Sequence, residues 1–88
     1  LATLAKEHPD SAQAQRGESF ALSKLGNVLR ELGDLREAQK HYESSLAIDQ
    51  RLAAANPGSA QALRDVSISL LKLGDVLRQA GELKTAQH

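Results

Sequence analysis

Leucine, valine and alanine recur along this chain at intervals of three and four residues, with a proline at each of two breaks. One series runs Leu22, Leu25, Leu29 and Leu32, and a longer one runs Leu63, Val66, Leu70, Leu73, Leu77 and Ala80. That spacing puts the side chains on one side of a 3.6-residue helix, so each series is expected to be a core face. Between them, Leu35, Ala38, Tyr42, Ser45, Leu46, Asp49, Leu52 and Ala53 mark the packed side of another helix. At His8-Pro9 and Asn56-Pro57-Gly58 the proline cannot continue the backbone ladder and pushes the residue before it out of helical geometry. Asp10 or Ser11 can cap the next helix, with Gln13 three residues after Asp10. Gly33 and Gly81 stand where a helix needs a left-handed residue to stop, and Asp34 with Glu37 forms a capping box directly after Gly33. The elements predicted are a helix tail over 1–7, helices over about 11–32, 35–55 and 59–80, and a stub from 82. So short a junction at Gly33 makes its two helices an antiparallel hairpin.

The pattern repeats. Lys24-Leu-Gly-Asn-Val-Leu-Arg30 returns as Lys72-Leu-Gly-Asp-Val-Leu-Arg78, and sliding residues 4–40 onto 52–88, a shift of 48, gives about 20 identities in 37 pairs. Self-similarity at such a period marks stacked supersecondary units, each burying its apolar side on the next. The fold expected is all-α, with antiparallel helix-turn-helix repeats stacked as an α-solenoid. Residues 1–8 would be the tail of a preceding repeat's second helix, 9–56 one complete repeat, and 57–88 the first helix and truncated second helix of the next. Ala38, Ser45, Gly26 and Gly74 are small enough to bring paired helices close.

A Leu-Gly pair in the first helix, a glycine at the turn, an alanine five residues later and an aromatic four beyond are Leu25, Gly26, Gly33, Ala38 and Tyr42, followed by the small Ser45. The second copy has Leu73, Gly74, Gly81 and Ala86. This arrangement resembles the tetratricopeptide repeat family over the whole chain. The departure is the period, 48 residues against the usual ~34, which lengthens each helix by about two turns, as in long-repeat variants from multidomain bacterial proteins. The resemblance implies a scaffold that binds a peptide or protein in a groove lined by the first helices of successive repeats, with no shared chemistry.

Helix offsets place Phe20, Ser23, Lys24, Asn27, Arg30 and Glu31 of the first copy, and Ile68, Leu71, Lys72, Asp75, Arg78 and Gln79 of the second, on that groove. Lys24 beside Lys72 and Arg30 beside Arg78 would form two short basic ladders, suiting a ligand that combines an apolar side chain with acidic groups. Some members of the family hold a peptide's terminal carboxylate with Lys-x-x-x-Asn. The corresponding pairs here are Ser23…Asn27 and Leu71…Asp75; only Asn27 matches, and Asp75 would repel a carboxylate.

Composition narrows the alternatives. Eleven basic and eleven acidic residues cancel, and one Phe, one Tyr and no Trp offer little for bases to stack on, so neither a nucleic acid nor a membrane surface is the expected partner. No cysteine is present, which removes disulfides and thiolate zinc sites. His8, His41 and His88 lack metal-ligand spacing, no serine lies in a Gly-x-Ser-x-Gly setting, and there is no phosphate loop. No catalytic residue, metal or cofactor is expected, and the chain is not read as an enzyme. No apolar run approaches the ~20 residues that cross a bilayer; the compartment stays open, with cytoplasm the expectation. The unpaired stripe at Leu63, Val66 and Leu70 makes a self-associating element the alternative function. Two or more chains would then complete each other's core, face to face or by exchanging a hairpin at Gly33 or Gly81.

Overall fold

The computed structural model describes residues 11–86 and holds three helices: α1 (Ala12–Glu31), α2 (Leu35–Ala55) and α3 (Ala60–Ala86). The expected tail over 1–7, the break at His8-Pro9, Asp10 as a cap, and His88 lie outside the described residues. Ser11 is the N-cap of α1, its Oγ accepting from the Ala14 amide at 3.3 Å. The α1–α2 turn depends on Gly33, whose φ of 86° lets its amide bond to the Arg30 carbonyl and the Asp34 amide to Leu29, closing two of the carbonyls that the helix end leaves free. Asp34 then caps α2 by accepting from the Glu37 amide at 3.4 Å. Asn56, held out of helical geometry by Pro57, ends α2, and Ser59 Oγ accepts from the Ala62 amide at the start of α3.

At Gly81 the expected turn is absent. α3 runs through it without a break, and among the described residues only Gly33 has positive φ. The two sites differ in the residues after the glycine: Asp34-Leu-Arg-Glu37 becomes Glu82-Leu-Lys-Thr85. Glu82 replaces the short aspartate that caps a helix, and the reciprocal glutamate is gone, so nothing offsets leaving the helix.

α2 packs between α1 and α3. Its contribution to the core is Leu35, Ala38 and Tyr42, which meet Val76 of α3, with Leu29, Leu73 and Ala80 at the margin. Tyr42 is held at two points. Its ring lies against Gly26, and its hydroxyl donates to Asn27 Oδ1 at 2.6 Å. The expectation of close approach at Gly26 is met, whereas nothing lies within 4 Å of a β-carbon built on Gly74.

The expected core faces need a second correction. Leu25, Leu32, Leu63, Leu70 and Leu77 are exposed, and the residues that α1 buries are Ala14, Ser19, Ser23 and Gly26. Each first helix of a repeat has two apolar edges: 22 and 29 in α1 face the helix after it, and the counterparts of 25 and 32 in α3, Leu73 and Ala80, pack on the helix before. α2 covers one edge of each neighbour, so Leu22 and Leu29 are half-buried while their counterparts Leu70 and Leu77 are not.

Candidate functional site

Three pairs of side chains cross directly from α1 to α3. Arg16 Nε donates to Asp65 Oδ2 at 2.8 Å, Lys72 Nζ donates to Ser23 Oγ at 2.8 Å, and Arg30 Nε donates to Gln79 Oε1 at 2.9 Å. In each pair the partner lies 49 positions along the chain, one more than the repeat, and successive pairs are seven residues apart. Seven residues is nearly two helical turns, so α1 and α3 run parallel with this row facing across the gap. The row replaces the expected ladders. Lys72 meets Ser23 rather than Lys24, and Arg30 meets Gln79 rather than Arg78, because the stacking advances each helix by one residue.

Beneath the row the helices meet through buried polar groups. Ser19, Ser45, Asp49 and Ser69 are all 5% exposed or less. Ser19 Oγ donates to Asp49 Oδ1 at 2.6 Å, Ser69 Oγ donates to Asp49 Oδ2, and Ser45 Oγ donates to the Ser19 carbonyl at 3.0 Å. Asp49 of α2 thereby joins all three helices, and each hydroxyl proton has an acceptor. Among the described residues no buried side-chain polar atom lacks a partner. The Arg16 pKa is raised above its ordinary value, first by the hydrogen bond to Asp65, then by the Asp65 charge, with Asp49 adding to it.

Arg16, Asp49 and Asp65 line both of two adjoining cavities, so the Arg16–Asp65 pair stands between them. One, of about 280 Å³, reaches toward Leu52, Asn56 and Ser59; the other, of about 220 Å³, is walled by Phe20 and Ile68 and edged by Ser23 and Lys72. Phe20 and Ile68 are counterparts in the repeat, and both are exposed. Lys24 Nζ lies 5.1 Å from the centre of the Phe20 ring, a cation–π contact on the outer side of that wall.

The structure therefore brings Phe20, Ser23, Ile68 and Lys72 together around one cavity. Asn27 and Arg30 line a shallower depression with Glu31 and Gln79, and Asn27 is engaged by Tyr42. Leu71 is exposed outside these cavities; Arg78 pairs along its own helix with Asp75 before it and Glu82 after it, at 3.6 and 3.9 Å. Arg16, Asp65 and the Asp49 seam were not identified from sequence. The available signal was Asp49 itself, an acidic residue on the packed side of α2, four residues after Ser45 and seven after Tyr42. His41 Nδ1 lies 2.8 Å from the Glu37 carbonyl on its own helix, and among the described residues no group of three or more His, Cys, Asp or Glu could hold a metal ion. No described helix is long and apolar enough to cross a membrane.

Packed antiparallel helices, a 48-residue internal repeat and first helices aligned in parallel define a helical-hairpin repeat protein. The tetratricopeptide repeat model matches residues 18–88, and the chain belongs to that family. Members of the family serve in general as protein–protein interaction modules. No curated protein and no solved structure matches the chain.

Proposed function

We propose that this chain is a binding module that takes an extended peptide segment of a protein partner into the groove between α1 and α3. The observation that carries this is the cavity walled by Phe20 and Ile68 with Lys72 and Arg16 at its edges. An apolar ligand side chain fits between the two walls, and an acidic group can draw on Lys72 or Arg16, whose present partners are a serine hydroxyl and a half-exposed ion pair. An ion pair as exposed as Arg16–Asp65 is worth ~0–1 kcal/mol, so a ligand carboxylate can compete for Arg16 at little cost. Ser23 and the Asp49 seam form a rigid polar floor. Lys24, Asn27, Arg30, Leu71, Asp75 and Arg78 extend the surface beyond the cavity and would meet the flanks of a longer segment. The module works without catalysis, and one complete repeat over 9–56 with the first helix of the next is the smallest unit that forms such a groove.

The test is selection of acidic, apolar-containing peptides from a random library, followed by fluorescence polarisation. Phe20→Ala and Lys72→Ala should each weaken a selected peptide by about tenfold or more, and affinity should fall with salt. Arg51→Ala, on the exposed side of α2, serves as the control. Peptides that bind but ignore both groove substitutions would remove the groove from consideration. Self-association is the second reading, favoured by the exposed leucines of α3. Its signature is a chain mass in sedimentation that rises with concentration and is indifferent to Phe20→Ala.

A further inference from the structure

The three cations in the row between α1 and α3 are not equivalent. Arg16, Lys72 and Arg30 stand on successive rungs seven residues apart, about 10.5 Å along the helices. Arg16 is neutralised by Asp65. Lys72 and Arg30 donate to uncharged oxygens, Ser23 Oγ and Gln79 Oε1, and among the described residues neither has an ion-pair partner. Both are half-buried, so each has given up part of its water for a neutral acceptor, and a carboxylate would bond it more strongly. The intervals between the rungs differ as well. Phe20 and Ile68 flank the first; seven residues on, Asn27 and Asp75 flank the second. An apolar interval is thus followed by a polar one that carries a carboxylate, held by Arg78 at 3.6 Å.

We infer that the groove selects a proline-rich segment in the polyproline II conformation, with two acidic residues three positions apart on Lys72 and Arg30. An apolar residue two positions from the acid on Lys72 fills the cavity between Phe20 and Ile68. This rests on the groove being the peptide site. Polyproline II has three residues per turn and rises about 3.1 Å per residue, so every third side chain returns to the same side after about 9.3 Å. The long lysine and arginine side chains cover the remaining ~1 Å. A β-strand spans a similar distance in three residues but points those two side chains to opposite faces, so it would satisfy one cation and lose the other. The apolar interval is centred about 5 Å from the Lys72 rung, close to the ~6 Å of two polyproline II residues. Asp75 excludes a plain acidic run: the two residues between the ligand's acids pass over its carboxylate, where a further negative charge is repelled. Proline suits those positions because it is uncharged and already extended, which lowers the cost of ordering the segment.

The probes are labelled peptides that differ only in where the second acid falls: Leu-Pro-Glu-Pro-Glu, Leu-Pro-Glu-Pro-Pro-Glu and Leu-Pro-Glu-Pro-Pro-Pro-Glu, with the acidic run Leu-Pro-Glu-Glu-Glu-Glu beside them. Each is also made in reversed order, since the spacing does not set the chain direction. Titrated with the whole chain and followed by fluorescence anisotropy, the three-residue spacing should bind about fivefold or more tighter than the others, in one order, although the acidic run carries twice its charge. Arg30→Ala should abolish that preference, and Asp75→Asn should raise the affinity of the acidic run. Arg30→Glu should instead prefer Leu-Pro-Glu-Pro-Pro-Lys, a charge swap that a structural effect would not produce. Circular dichroism checks that each variant keeps its fold. Equal affinity at all spacings, lost on Phe20→Ala, overturns the inference and leaves the groove as the peptide site. Tightest binding by the acidic run would make the groove a plain cationic surface and overturns it too. Absence of binding by every peptide at millimolar concentration overturns it, and the groove then stands or falls on the library selection.

Discussion

The ring of Tyr42 occupies the space that a side chain on Gly26 would need: a β-carbon there would lie 2.6 Å from Cε1 and 2.8 Å from Cδ1. Gly74, the counterpart of Gly26 in the same Lys-Leu-Gly motif, has nothing within 4 Å. Alanine in place of a mid-helix glycine gains about 1 kcal/mol of helix propensity, whereas forcing atoms into a packed contact costs about 1–3 kcal/mol. The ring sits in the core and cannot swing aside. Gly26→Ala should therefore destabilise the chain and Gly74→Ala should stabilise it, by up to about 1 kcal/mol. Urea melts of the two variants check this, and shifts of the same sign would show that the ring does not hold its place.

Tyr42 also joins α2 to α1 through a single hydroxyl, 2.6 Å from Asn27 Oδ1. Tyr42→Phe keeps the ring and removes the donor, which should cost about 1 kcal/mol. Tyr42→Ala empties the centre of the core and should cost about 3–5 kcal/mol. A double-mutant cycle of Tyr42→Phe with Asn27→Ala separates the bond from the packing; a coupling near zero would mean that the hydroxyl is satisfied by water.

Asp49 accepts from Ser19 of α1 and Ser69 of α3, in a seam closed to solvent. Removing it takes the acceptor from the buried Ser69 hydroxyl, at about 1–3 kcal/mol, and the charged one from Ser19, whose hydroxyl can still turn to the Ser45 carbonyl at 3.1 Å. Asp49→Ala should accordingly destabilise more than an ordinary surface aspartate substitution, which stays within about 0.5 kcal/mol. Replacing the three together, as Ser19→Ala, Ser69→Ala and Asp49→Leu, should recover much of the loss, because no polar group is then stranded. A triple variant less stable than Asp49→Ala alone would show that the carboxylate contributes through something other than these two bonds.

How far the fold was legible depends on which residues carried the signal. Ser11, Gly33, Asp34 and Asn56-Pro57 act through local backbone chemistry, and they set the ends of α1 and α2 and the start of α3 within one residue of expectation. Gly81 misled because a glycine permits a turn without compelling one; the residues after it decide, and Glu82 stands where Asp34 caps α2. Leu25 misled differently, exposed where its counterpart Leu73 packs against the core. In a repeat helix the stripe of leucines serves two neighbours, and a linear pattern does not separate the edge each one covers. The groove was half legible. Phe20, Ser23, Ile68 and Lys72 meet around one cavity, but the one-residue stagger that pairs Arg16 with Asp65 arises from how α2 spaces its neighbours, and no local pattern encodes it.

The Arg16–Asp65 pair spans the mouth of the groove, with the arginine side chain 51% exposed and the aspartate 21%. Solvent screening at that exposure limits the coupling to about 1 kcal/mol or less, and it should decline as salt rises. Charge reversal at both positions, Arg16→Asp with Asp65→Arg, should restore most of what either single reversal loses. Chemical denaturation of the four proteins at low and high salt measures this. Failure of the double reversal would mean that Asp49, which also acts on Arg16, is the stronger partner.

Leu25 and Leu73 are counterparts, yet they differ in surroundings: Leu25 is 52% exposed, while Leu73 is partly buried against the cluster of Leu35, Ala38, Tyr42 and Val76. A fully buried leucine loses about 2–5 kcal/mol on truncation to alanine. Leu73 gives up part of its contact to solvent, so Leu73→Ala should fall at the lower end of that range, about 2 kcal/mol. Leu25→Ala removes a side chain that α2 does not cover and should cost less than about 1 kcal/mol, close to a surface substitution. Val76→Ala, at 1% exposure, calibrates the comparison, because it removes two methyl groups from the centre of the same cluster. Thermal or urea melts of the three variants rank the sites. Should Leu25→Ala cost as much as Leu73→Ala, the edge of α1 at 25 and 32 would be covered in solution, and the two-edge account of the repeat would have to name its cover.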